Sequence, residues 1–139
     1  ENALQGKELI LHNGGTSKLD FTYVKDAAHG FVLATFSEAA KNQVFNITRG
    51  EGRSLREYVQ ILKKFFPDLR TIEQLASIVR PERGALDTAK ARRLLGYDPK
   101  YSLEEGIACY VEFMLQIETE TKQSVDEINN DPFITPLSR

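Results

Sequence analysis

The chain has few of the residues from which local motifs build catalytic sites. Cys109 is the single cysteine among 139 residues, which excludes an internal disulfide and a four-ligand Cys/His metal site. A lone thiol fits a reducing compartment, and a cytoplasmic location is expected. No apolar run approaches the roughly 18–20 residues of a membrane span. The opening ENALQGKELI lacks the basic-then-apolar pattern of a secretory signal. Net charge is only −2, with Lys and Arg scattered along the chain. Without a basic stripe, no nucleic-acid partner is expected.

Glycine clusters occur only at Gly14-Gly15 and Gly50-Glu51-Gly52. Neither has the GxGxxG or GxxxxGK spacing that brings backbone amides to a phosphate, so both read as turns and no cofactor site is expected. No GxSxG is present, which removes the nucleophile elbow. None of the five tyrosines has a lysine four residues later. Cys109 stands among apolar neighbours in a helical pattern and reads as an inert core thiol.

What remains describes a folded α/β chain. Hydrophobic residues make up 41% and charged residues 27%, a balance that argues against disorder. A chain of this length buries roughly 68% of its unfolded surface. Leu9–His12 reads as a short strand, followed by a turn at Asn13-Gly14-Gly15. Residues 19–24 alternate like a strand. From Asp26 the period changes, and Ala28, Phe31, Val32, Thr35 and Phe36 fall on one helix face. Asp26 stands where an N-cap or first-turn acid belongs, His29 on the helix surface, and Tyr23 reads as a packed aromatic.

Residues 43–48 read as a further strand. Ser54 and Glu57 match a capping box that opens a helix running towards Pro67. Residues 69–79 hold a weaker strand signal. A short helix follows Asp87, with Gly96 as its C-cap. Ser102 and Glu105 form a second capping box, opening a helix to about Glu118 with Leu103, Ile107, Tyr110, Val111 and Met114 inward. The division expected is 1–118 as the folded portion and 119–139 as a polar tail, either disordered or draped on a partner. Arg80 and Arg83, in a segment shaped by Pro81 and Gly84, are placed to recognise an anion from a shaped loop or to be solvated loop charges.

Three stretches, LDFTYVKDAAHGFVLA, VFNITRGEGRSLREYVQIL and RPERGALDTAKARRLLGYDPKYSLEEGI, in this order and spacing, resemble the C-terminal third of the extended short-chain dehydrogenase/reductases. Those are the NAD-dependent nucleotide-sugar epimerases and dehydratases. The similarity spans about residues 1–117. It implies the C-terminal substrate-binding portion of an NAD(P)-binding Rossmann-type fold, in a parent enzyme that moves hydride at the sugar ring.

The cofactor loop and the Tyr-x-x-x-Lys pair of that family do not occur in this chain, so the resemblance implies a segment inactive by itself. NAD would be held by residues outside it, and no catalytic residue is expected within it. The missing initiator Met and the helix-end character of ENALQGKEL fit the same expectation. By resemblance, Leu11 and His12 run past the nucleotide base. Arg80 matches a phosphate-binding arginine, with Arg83 the runner-up. Asn46 and Ile47 match a structural strand, and Lys90 and Gly96 a packing motif. Leu19 stands where the family usually has a diphosphate-binding arginine, and Lys18 is a candidate substitute. The expected partner is a nucleotide sugar, with a homodimer possible in the parent protein. The rival expectations are a family member without diphosphate contacts and an independent interaction domain.

Overall fold

The computed structural model describes residues 2–75 and 83–130, with side chains through Ser124. The elements are β1 (Leu9–His12), a 3-10 turn over Asn13–Gly15, β2 (Lys18–Asp20), α1 (Val24–Phe36), β3 (Gly52–Ser54), α2 (Leu55–Leu62), β4 (Thr71–Gln74), α3 (Ala89–Leu95) and α4 (Leu103–Asn130). This is the mixed α/β class expected. β1 pairs in parallel with β4, Leu9 opposite Thr71 through His12 opposite Gln74. β2 pairs antiparallel with β3, Lys18 opposite Ser54 and Leu19 opposite Arg53.

Both capping boxes form. The Ser54 hydroxyl accepts from the Glu57 N–H while the Glu57 carboxylate accepts from the Ser54 N–H at 2.7 Å. Ser102 and Glu105 repeat the exchange at the start of α4. Each box satisfies backbone donors that a helix start leaves open. Gly96 caps α3 in the left-handed region, at φ 65°.

Several elements differ from their sequence pattern. Residues 43–48 form no strand, and Gly52–Ser54 is the segment that pairs with β2. Phe45 and Ile47 instead pack onto Ala91, Leu95 and Tyr97. The strand read over 19–24 is three residues long. α4 runs on to Asn130, well past the end expected near Glu118. Residues 131–139 of the expected tail lie outside the described residues.

The apolar stripe of α1 lies outward: Phe31 is 67% exposed and Phe36 is 84% exposed. The inward side of α1 is Asp26 and Gly30. A Cβ on Gly30 would stand 2.3 Å from Ile47 Cγ2 and 3.1 Å from Tyr97 Cε2, so a bare backbone is what lets those side chains close on the helix. The core has two parts. Ile61, Leu103, Ile107 and Val111 join α2 to α4. Ala91, Leu95 and Tyr97 gather α1, α3 and the 40–47 segment.

Candidate functional site

The residues expected to meet a ligand have different fates. Leu11 is buried. Its neighbour His12 is exposed at the carboxyl end of β1. Lys18 is exposed at the start of β2. Arg83 is exposed in irregular chain just before α3, without an ion pair among the described residues. Arg80 lies outside the described residues. His12 and Lys18 flank the same turn, since the chain passes from β1 through Asn13–Gly15 into β2.

Asp26 lies in the first turn of α1, one of the two places expected for it, but it does not cap the helix. The N-cap position is Tyr23, with no side-chain bond to the helix. Asp26 is buried, and its two oxygens accept from the Lys100 N–H at 2.8 Å and the Tyr101 N–H at 2.9 Å. The acid therefore joins α1 to the segment leading into α4. His29 faces solvent, so the two make no acid–base pair. Tyr23 packs as expected, its ring 4.6 Å from that of Tyr101. Cys109 is half-buried rather than sealed in the core.

Sequence reasoning gave no part to Arg53, the cross-strand neighbour of Leu19. Directly opposed residues of an antiparallel pair share a face. Arg53 thus puts a guanidinium on the face where Leu19 has none. That guanidinium bonds Glu57 Oε1 at 2.9 Å, Glu104 Oε1 at 2.8 Å and Glu51 Oε1 at 3.3 Å. The Glu104 bond, with Glu57 beside it, raises the Arg53 pKa above its ordinary value. The Ser54 N–H and hydroxyl, then Arg53, depress Glu57 to about 2. Three carboxylates thus surround Arg53, and Glu51 also lies 3.7 Å from Arg49 Nε. Glu51 and Glu57 are within four residues of Arg53 in sequence, while Glu104 reaches it from α4.

A pocket of about 410 Å³ opens at the carboxyl ends of the parallel pair β1 and β4, lined by Asn13, Gly14, Arg56, Glu73, Gln74 and Leu75. Ligands of α/β proteins collect at that end of parallel strands. Arg56 Nε donates to the Gly14 carbonyl at 2.8 Å and its Nη2 meets Glu73 Oε1 at 3.2 Å. A larger groove of about 690 Å³ runs beside β1 between α2 and α4 and includes Leu9, Tyr58, Val59 and Met114. Among the described residues, no group of three or more His, Cys, Asp or Glu could hold a metal ion. Nor is any described helix long and apolar enough to cross a membrane.

Both glycine turns pack closely on side chains of this chain. A Cβ at Gly14 would stand 2.6 Å from Arg56 Nη2, and one at Gly50 3.1 Å from Thr88 Oγ1. No step through NAD is assigned to these residues.

Comparison with known proteins places the fold. Residues 1–48 match the model of the NAD dependent epimerase/dehydratase family. A UDP-glucuronic acid decarboxylase 1 from Danio rerio is 31% identical over 76% of this chain and 25% of its own length. The structure of UDP-glucose 4-epimerase from Thermotoga maritima with UDP-glucose superposes with a TM-score of 0.75, at 30% identity, over 84% of this chain and 37% of that one. The UDP-glucuronic acid 4-epimerase from Bacillus cereus, in complex with UDP-glucuronic acid and NAD, gives 0.74 at 27% identity over 84% and 38%. The chain spans between 25% and 39% of the length of the curated relatives it matches.

Proposed function

We propose that the chain is the C-terminal, nucleotide-sugar-binding part of an enzyme of the NAD dependent epimerase/dehydratase family, whose model matches residues 1–48. The observation that carries the reading is the likeness, over 84% of this chain, to 38% of an epimerase solved with UDP-glucuronic acid and NAD. In this reading NAD is bound by residues outside the chain.

The part played by this chain is recognition. Arg83 supplies a guanidinium for a phosphate, suited to paired donation. His12 and Lys18 stand around the turn that leaves β1. Leu11 acts from within the core by fixing the strand that carries His12. The pairing of Arg53 favours a second reading, a family member that has lost diphosphate contacts: Leu19 brings no cation, and its cross-strand neighbour is already paired to three glutamates.

Calorimetric titration of the 139-residue chain with UDP-glucose and UDP-glucuronic acid separates the two. Saturable binding, weakened by Arg83→Ala and without NAD reduction, supports the substrate-binding reading. Absence of binding to every UDP-sugar tested overturns it in favour of the second.

A further inference from the structure

Asp20 ends β2 and directs both carboxylate oxygens at the backbone of two distant loops. Oδ1 accepts from the Gly50 N–H at 3.1 Å, and Oδ2 from the Leu86 N–H at 3.0 Å. The next residue of the second loop is also gripped, since Asn46 Nδ2 donates to the Asp87 carbonyl at 2.9 Å. The Gly50 turn, at φ 77°, then packs so closely on Thr88 that an added Cβ would lie 3.1 Å from its Oγ1. Residues 86–88 are thus fixed from three sides. Arg83, three residues upstream, is exposed and has no ion pair among the described residues. A long flexible cation on an anchored stem is what ligand capture needs, because anchoring removes backbone freedom that binding would otherwise have to freeze. Asp20 is unsuited to touching a phosphate itself. It is an anion, and both its oxygens are already engaged.

We propose that Asp20 is a positioning residue, holding the 83–88 segment so that Arg83 meets the phosphates of a nucleoside diphosphate. The inference rests on the nucleotide-sugar reading above. Asp20 acts through Arg83 alone. Its contribution to binding disappears when Arg83 is removed.

The test is a double-mutant cycle on the 139-residue chain, with UDP as the probe and binding read by calorimetry. Asp20→Asn and Arg83→Ala are each expected to weaken UDP by about tenfold, the size of one lost charged hydrogen bond. The double variant is expected to bind no more weakly than Arg83→Ala. Asn46→Ala, a milder change at an exposed side chain, keeps the test usable if Asp20→Asn folds poorly. Its smaller loss should also vanish in the Arg83→Ala background. If Asp20→Asn and Asn46→Ala leave UDP binding unchanged, or cost the same factor with and without Arg83, the positioning role is wrong while the nucleotide-sugar reading stands. If the wild-type chain does not bind UDP, or Arg83→Ala binds as wild type does, that reading itself fails and the inference falls with it.

Discussion

Removing the carboxylate of Asp26 distinguishes two accounts of the same residue. As a first-turn acid it would contribute about 0.3–1 kcal/mol through the helix dipole. As an N-cap it would tolerate Asn, which caps about as well. The structure shows a buried anion bonded to two backbone donors, 74 and 75 residues away in sequence. Asp26→Ala leaves the Lys100 and Tyr101 N–H groups without that acceptor. Both bonds are only part-buried, so at ~1–1.5 kcal/mol for each the loss is roughly 2–3 kcal/mol. Asp26→Asn keeps the shape but turns an NH2 group towards one of those donors, and should cost about 2 kcal/mol.

Urea unfolding followed by circular dichroism measures both, with an unchanged slope against denaturant as the check that the denatured state is the same. His29→Ala, one turn along and exposed, should stay within about 0.5 kcal/mol of wild type. An Asp26→Asn variant as stable as wild type, with Asp26→Ala down by less than about 1 kcal/mol, would refute the clamp and return Asp26 to the role of a helix-end acid.

Gly30→Ala should destabilise the chain by about 1–3 kcal/mol, less the ~0.5–1 kcal/mol that Ala gains over Gly inside a helix. When it is combined with Ile47→Ala, the total loss should be smaller than the sum of the two single losses in the same urea assay, because the colliding Ile47 methyl is then gone. Stability should fall on acidification. Glu57 sits at about 2 in the folded chain, so its contribution is whole above the unfolded carboxylate value of about 4.3 and is lost as pH drops through about 2. The Ser102 N–H and hydroxyl lower Glu105 as well, giving the same sign. Ser54→Ala together with Ser102→Ala should therefore flatten the dependence of Tm on pH between about 5 and 2; an unaltered profile would contradict this. Phe36→Ser, at a side chain 84% exposed, should leave unfolding within about 0.5 kcal/mol of wild type and raise solubility, read by light scattering.

Legibility followed the range of the interactions. Both capping boxes, the Gly96 cap, the short strand Leu9–His12 and the inward face of α4 at Leu103, Ile107 and Val111 could all be read from the sequence. Each depends on neighbours within a turn or two, so spacing carries the information. The ordered motif strings likewise carried the family resemblance, because they preserve the spacing of elements along the chain.

The misreadings have the opposite character. Residues 43–48 have strand composition, yet Gly52–Ser54 took the place beside β2. The outward turn of Phe31 and Phe36 followed from Ile47 and Tyr97 closing on Gly30. A stripe of apolar residues says that a face is apolar, not what covers it. Of the candidate site, sequence could nominate His12, Lys18 and Arg83. It could not see Arg53 beside Leu19, or Asp20 reaching Leu86, since those pairings join residues 34 and 66 positions apart. The sequence by itself determined the local caps, the order of most elements and the family resemblance. Which cations are left unpaired, and which acids hold loops rather than helix ends, was decided only when distant backbone donors were brought within about 3 Å of buried or half-buried carboxylates.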